Sequence, residues 1–232
     1  MIDIALINRT NRIRDARFAD ILPALQAQIT DDFCPAWGVE PVTLHLVGKA
    51  EQPDPAHWKN WLLNTSDQPG DLGYHEDTTG LPESKIFVET DILSGSEISV
   101  TISHELLEML ADPTTTQMGP VVDGKQYIRE IGDPVESDAV AYVKQGRTGP
   151  VKVSNFALPA YYVLGSAGPW DFRGLLPGPC PARLPGGYSM FLILATNLWG
   201  SEMSRYADGS LSPRSIRDNG RSWQRASRAA VS

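Results

Sequence analysis

The stretch H-E-L-L-E at residues 104–108 has the residue types and the spacing of a metal-binding helix. In an α-helix, residues four apart lie one turn apart and only about 40° from each other around the axis, so His104 and Glu108 would share one face. An imidazole and a carboxylate so placed can bind one metal ion, as the two histidines of H-E-x-x-H helices do. Glu105 stands where such helices carry a general base, which accepts a proton from water activated by the metal.

The same residues could instead be ordinary surface residues of a helix. In that interpretation Glu105 and Glu108 are solvated, and His104 forms hydrogen bonds at the edge of the core. The preceding segment favours the metal site, because K-I-F-V-E at residues 85–89 is predicted to form a short edge strand. Such a strand can hold an extended peptide by backbone pairing beside the metal.

Two ligands on one helix require a third from elsewhere, and the densest acidic cluster is E-I-G-D at residues 130–133. Glu130 and Asp133 are therefore the predicted additional metal ligands, and a solvated turn is the alternative for this stretch. Asp112 lies two helical turns beyond His104. It is either a ligand, an outer partner of the site or the cap of the turn that follows the helix.

The other histidines carry weaker signals. His45 falls in an alternating strand and His57 stands beside Trp58, so both are predicted to be structural. His75 lies in the loop region that leads to the predicted edge strand, and it is kept as a reserve ligand. Tyr188 could stabilise an oxyanion, but packing beside a tight turn is favoured.

These residues lead to three functional hypotheses. The first is a zinc-dependent peptidase or amide hydrolase that acts on a peptide or protein substrate, because imidazole and carboxylate groups are competent zinc ligands. The second keeps the metal without catalysis, since one histidine with several carboxylates also suits Ca²⁺ or Mn²⁺ in a binding or assembly module. The third is a non-enzymatic component of a larger particle of phage or mobile-element origin.

The stretch S-H-E-L-L-E-M-L-A-D-P, followed by R-E-I-G-D, resembles a signature of bacterial zincin-like metalloproteases. It also resembles a stretch in the plant EXORDIUM-like (phosphate-induced) proteins. The similarity covers residues 101–136, and the wider order of strands and helices is similar to that of the zincin fold. The resemblance implies a zincin-like fold and a metal site more directly than it implies peptide cleavage.

Taken residue by residue, the resemblance implies that His104 and Glu108 are metal ligands on the helix and that Glu105 is the base. It also implies that the third ligand is Glu130 or Asp133, from the acidic stretch. These families often have asparagine at the position of Asp112, which argues against an essential ligand there. The chain also departs from the pattern. A cysteine commonly follows Glu-Ile-Gly-Asp, whereas here the sequence continues with P-V-E.

The periodicity of apolar residues predicts the elements that must position this site. The predicted strands are residues 2–7, 42–47, 58–63 and 85–89, and the predicted helices are residues 15–29 and a four-turn helix between residues 94 and 112. Ser94 with Glu97 fits a capping box for the second helix. This order predicts an α+β, zincin-like fold: a twisted mixed sheet with a backing helix and an active-site helix. A strand- and loop-rich C-terminal part follows, with hairpin turns at Asp123 and near Gly146.

Residues 1–200 are predicted to form the metal-binding catalytic domain, and residues 201–232 a basic Arg- and Ser-rich tail. The tail is either disordered or an arm that docks on an acidic partner, a second copy of the chain or nucleic acid. The net charge of −8 makes nucleic-acid binding by the whole chain an unfavoured interpretation. The chain has no long apolar run and its beginning does not read as a signal peptide, so a cytoplasmic protein without a membrane partner is expected. Cys34 and Cys180 are predicted to be free thiols rather than a disulfide.

Overall fold

The computed structural model describes residues 1–67, 72–77 and 80–210, and these residues form a mixed α/β fold. Its larger sheet has five strands: β1 (Ile2–Asn8), β2 (Val42–Val47), β3 (Trp58–Leu63), β4 (Gly73–Glu76) and β5 (Glu83–Phe87). The order is β2-β1-β3-β5-β4, in which β4 runs antiparallel to β5 and all other neighbours are parallel. The predicted mixed sheet is therefore present.

Helix α1 (Asp15–Ala27) packs against this sheet and confirms the predicted backing helix. It continues through Pro23, then through a π-helical turn at Gln28–Phe33 and a short helix α2 (Cys34–Trp37). The buried side chains of α1 recur at helical spacing, which gives the helix one apolar face towards the strands. They are Phe18, Ile21, Ala24 and Leu25.

Helix α4 (Ile98–Ala111) is the predicted four-turn helix, but its predicted start is wrong. Ser94 does not cap α4. It is the last residue of a separate helix, α3 (Val88–Ser94), which ends where Gly95 adopts a left-handed φ of 71°. The Ser94 hydroxyl donates to a carbonyl of its own helix, and Glu97 precedes α4 without a side-chain cap. A glycine inside the proposed box interrupts the helix because its backbone readily adopts this conformation.

Helix α4 is buried on all sides and not only along one apolar face. Every residue of α4 from Ser99 to Leu110 is buried. Apolar side chains such as Ile102 and Leu106 belong to the main core, and Glu105 and Glu108 are buried as well. The interpretation in which these two glutamates are solvated surface residues is therefore excluded.

The edge of the sheet next to α4 is not the strand that the sequence suggested. Residues 85–89 were expected to be that edge strand, but β5 lies between β3 and β4 and gives way to helix α3 at Val88. The edge strand is β4, which spans only four residues. Such a strand is too short for a period-two pattern to be distinguished from a loop.

The C-terminal part is rich in strands and loops, as predicted. Its elements are β6 (Met118–Val122), β7 (Lys125–Ile128), a 3-10 turn (Asp133–Val135), β8 (Tyr142–Gln145), β9 (Pro150–Val153), a second 3-10 turn (Pro159–Tyr162), β10 (Tyr188–Ile193) and β11 (Leu198–Met203). An antiparallel sheet has the order β11-β10-β7-β6, and a separate hairpin pairs β8 with β9. The predicted turns at Asp123 and near Gly146 connect β6 to β7 and β8 to β9.

One hydrophobic core joins the two parts of the chain, since it contains Leu6 of β1 as well as Phe191 of β10. Strand β11 runs across the expected boundary between residues 200 and 201. Residues 211–232, which make up most of the predicted Arg- and Ser-rich tail, lie outside the described residues. Cys34 and Cys180 are free thiols, as expected. No helix in the described part of the chain has the length and apolar character that a membrane span requires.

Candidate metal centre

Six histidine and acidic side chains meet between α4, the edge strand β4 and the loop that follows β7. Each of these residues is at most 7% exposed. We refer to them as the interior cluster: His75, His104, Glu105, Glu108, Glu130 and Asp133. The cluster contains all five site residues predicted from the sequence, together with one histidine that had been only a reserve candidate.

Glu108 is the residue that connects the two halves of the interior cluster. Its Oε1 accepts a hydrogen bond from the backbone N–H of Gly132 at 2.9 Å, which fixes the orientation of the carboxylate. Its Oε2 lies 3.2 Å from Nε2 of His104 and 3.9 Å from Nδ1 of His75. One oxygen is therefore anchored to the backbone, and the other faces both imidazoles.

His104 and Glu108 are joined by Asp133, which comes from the first residue of a 3-10 turn. Asp133 Oδ1 lies 3.4 Å from His104 Nε2, and one ligand atom from each of the three residues lies within 4.8 Å of the others. Ligands of a tetrahedral zinc ion at about 2.1 Å are about 3.4 Å from one another. The two closest distances in this group match that spacing, so these three side chains can bind one metal ion.

His75 brings a second imidazole to the site from β4, and this histidine is fully buried. Its Nδ1 lies 4.0 Å from Glu105 Oε2, and its Nε2 lies 3.9 Å from Glu130 Oε2. Glu130 therefore lies nearer to the second imidazole, whereas Asp133 lies beside His104. His75, Glu105 and Glu108 form a second group whose geometry could hold a metal ion.

Two glycines allow the backbone to approach the cluster closely. A Cβ on Gly132 would lie 2.4 Å from Nδ1 of His104, and a Cβ on Gly73 would lie 2.8 Å from Oε1 of Glu105. Both distances are far shorter than an ordinary van der Waals contact. The glycine in E-I-G-D is thus required sterically, and the glycine two residues before His75 lets the edge strand lie on the helix. A G-x-H pattern within a short strand is the sequence signal that could have raised the rank of His75.

The electrostatics of the cluster follow from placing four carboxylates and two imidazoles out of contact with water. Burial disfavours the charged imidazolium of His104, but the nearby carboxylates of Glu108 and Asp133 outweigh it, so the pKa of His104 is raised. Burial, together with the charge of Glu108, raises the pKa of the Asp133 carboxyl well above its usual value. A bound cation would therefore compete with protons for His104 and Asp133.

Asp112 and Tyr188 have more ordinary surroundings. Asp112 accepts hydrogen bonds from the backbone N–H groups of Thr116 and Gln117 at 3.1 and 2.9 Å, which is the turn-capping role considered for it. Tyr188 is buried on β10, where it lines a small cavity with Glu130 and other aromatic side chains. This environment fits the favoured packing role.

No protein-family model, curated protein or solved structure matches the chain. Function is therefore inferred from the geometry and chemistry of the interior cluster. An anchored carboxylate, an imidazole one helical turn away and an aspartate from a separate segment can together bind a divalent cation. Glu105 lies on α4, as His104 and Glu108 do. One of its carboxylate oxygens lies within 4.8 Å of ligand atoms of Glu108 and His75. Glu105 can therefore exchange a proton beside such an ion.

Proposed function

We propose that the protein is a metal-dependent hydrolase of the zincin type that cleaves a peptide or a related amide bond. The observation that carries the proposal is the convergence of His104, Glu108 and Asp133. Glu105 lies on the same buried helix as His104 and Glu108. A mixed sheet with a backing helix and an active-site helix is also the arrangement that the zincin resemblance implies. Zinc is the proposed ion, because mixed imidazole and carboxylate ligands at these spacings suit it.

In this function each residue has a separate task. His104, Glu108 and Asp133 would hold the ion, which supplies Lewis-acid polarisation of the substrate carbonyl and acidifies water. Glu105 accepts the proton of the attacking water and delivers it to the leaving amine. The backbone of β4 pairs with an extended peptide and keeps its amide bond near the helix. His75 lies close enough to Glu105 and Glu108 to stabilise their negative charge.

A second candidate is a structural cation site without catalysis. The observation that favours it is the burial of the cluster: Glu105 is 6% exposed and His75 is inaccessible to solvent. Four carboxylates also provide enough oxygen donors for Ca²⁺ or Mn²⁺. In this function the ion would link α4, β4 and the loop before the 3-10 turn, and Glu105 would act only as a neighbour or ligand of the ion.

The substitution Glu105→Gln distinguishes the two candidates, because it keeps the shape of the side chain and removes the base. If Glu105 is the base, cleavage of a labelled unfolded protein falls by about 100- to 10,000-fold, while the zinc content stays that of the wild type. Glu97→Gln is the matched control, since Glu97 is exposed at the beginning of the same helix. Wild-type protein that retains zinc and cleaves no member of a mixed peptide library would instead support the structural function.

A further inference from the structure

A second group of metal-ligating side chains lies on the other face of the five-stranded sheet. Asp3 is on β1, His45 is on the neighbouring strand β2, and His57 directly precedes β3 on the other side of β1. We refer to these three residues as the outer-face cluster. Their side chains are between 22% and 40% exposed, so an ion from solution can reach them.

The alternation of β1 assigns the outer-face cluster to the face away from α4. Ile4 and Leu6 of β1 belong to the main core that also contains residues of α1 and α4. Ala5 and Ile7 belong to a separate small apolar group on the opposite face. Asp3 is two residues before Ala5 in the strand and therefore lies on that opposite face. The outer-face cluster is thus separated from the interior cluster by the thickness of the sheet.

The three side chains are already close to the geometry of a metal site. The imidazoles of His45 and His57 stack with their centroids 4.7 Å apart and an angle of 25° between the planes. His45 Nε2 lies 2.7 Å from Asp3 Oδ1, and one ligand atom from each of the three residues lies within 4.8 Å of the others. A fourth donor is near, since Asp54 Oδ2 lies 4.0 Å from His57 Nε2.

We propose that Asp3, His45 and His57 form a second metal site, which binds a transition-metal ion such as Zn²⁺ or Cu²⁺. Two imidazoles and one carboxylate are a ligand set that these ions prefer to the oxygen-seeking Ca²⁺ and Mg²⁺. The strands hold two of the ligands in register, because β1 and β2 pair from Ile2 to Ile7. The nearby ammonium of Lys59 donates to the backbone carbonyls of Pro55 and His57.

The consequence of this site is structural and independent of hydrolysis. A bound ion would link three adjacent segments of the sheet, including the chain just before β3, without contacting α4 or β4. Because the ligands are partly exposed, water and dissolved ions screen their charges and the ion would dissociate more readily than one in the interior.

The test uses the whole chain, stripped of metal and titrated with Cu²⁺, with electron paramagnetic resonance and calorimetry as the readouts. Three proteins are compared: the wild type, the double variant His45→Asn/His57→Asn and the control Thr43→Asn, which changes a neighbouring residue of β2. We expect the wild type and the control to bind one more ion than the double variant. The difference spectrum between wild type and double variant should show coupling to two nitrogens rather than one.

Each single variant, His45→Asn or His57→Asn, should weaken this binding by at least about 10-fold and leave coupling to one nitrogen. Circular dichroism of all variants checks that they remain folded. Equal stoichiometry in the wild type and the double variant, or a difference spectrum without coupling to two nitrogens, would overturn the proposal. Neither result depends on hydrolysis or on Glu105, so the proposed function is tested separately.

Discussion

The interior cluster and the outer-face cluster both combine histidines with carboxylates, but they differ in burial and in charge. The interior cluster has four carboxylates and two imidazoles, each residue at most 7% exposed. The outer-face cluster has one carboxylate and two imidazoles that remain partly in contact with water. In the interior the low dielectric makes uncompensated negative charge expensive, so either protons or a cation must neutralise it. At the surface, water solvates the single carboxylate and dissolved ions screen its charge.

If both clusters bind a metal ion as proposed, burial rather than residue type should decide how strongly each ion is coupled to folding. Loss of an ion from the interior leaves several carboxylates facing one another inside the protein. Loss of an ion from the outer face leaves a His45–Asp3 hydrogen bond and two stacked rings, which are stable arrangements by themselves. We therefore expect the interior ion to raise the free energy of unfolding far more than the outer one.

The largest expected effect follows from His104→Ala. This change removes an interior ligand, so affinity for zinc at that site should fall by more than about 100-fold, since even outer partners of ligands contribute about 10- to 100-fold. Hydrolysis should be lost with the metal. The matched substitution His45→Ala should leave hydrolysis unchanged. If His104→Ala retained the interior zinc while His45→Ala abolished hydrolysis, the roles assigned to the two clusters would be reversed.

A second, smaller effect is expected from Gly132→Ala. The added Cβ would lie 2.4 Å from His104 Nδ1, so the imidazole or the loop must shift and the bond from the Gly132 N–H to Glu108 lengthens. Zinc affinity should fall by about 10- to 100-fold. Gly149→Ala is the control, because nothing lies within 4 Å of its Cβ. Calorimetric titration measures both, and identical affinities would show that this close approach does not position the ligands.

The third prediction concerns pH. In the metal-free protein the pKa values of His104 and Asp133 are raised. Groups with raised folded-state pKa values contribute stability below their unfolded values, about 6.5 and 3.9, and lose it as pH rises through the folded values. A bound zinc ion would remove this loss of stability by displacing the protons. The difference in unfolding free energy between zinc-loaded and chelator-treated protein should therefore widen from pH 5 to pH 8.

The widening should reach up to about 1.4 kcal/mol per pH unit for each displaced proton. Denaturant unfolding of both forms at several pH values measures it. A difference that stays constant over this range would contradict the conclusion that interior carboxylate and imidazole groups exchange protons for the ion.

The smallest expected effect belongs to Asp112→Ala. Asp112 caps the turn after α4 through the Thr116 and Gln117 N–H groups, so the change should lower the free energy of unfolding by about 1–2 kcal/mol. Asp112→Asn retains an acceptor and should cost less. Zinc content should equal that of the wild type in both variants, whereas loss of zinc from both would identify Asp112 as part of the interior site.

Much of this architecture could be predicted from local patterns. The spacing of H-E-L-L-E in a helix predicted His104 and Glu108 as a pair of neighbouring metal ligands. The density of acidic residues in E-I-G-D predicted Asp133 as a further ligand. Strands β1, β2 and β3 followed from apolar and alternating runs. These features are local in sequence, so periodicity and residue type are sufficient to predict them.

The remaining features depend on long-range packing. His75 lies in a strand of four residues whose pairing with β5 is antiparallel, and no local pattern fixes such a pairing. The start of α4 was misplaced because Gly95 adopts a left-handed conformation inside what resembled a capping box. The outer-face cluster was missed because His45 and His57 are separated along the chain and meet only when β2 and β3 pair with β1.

The proposed function requires that the interior cluster bind a divalent metal ion through Glu108. Elemental analysis after zinc loading and dialysis measures this most directly, in the His45→Asn/His57→Asn background that removes the outer-face ligands. We expect about one zinc per chain in that background. We expect almost none when Glu108→Gln is added, and an unchanged content when Glu97→Gln is added instead. Absence of zinc from the background protein, or equal zinc with and without Glu108→Gln, would show that Glu108 does not hold a metal ion.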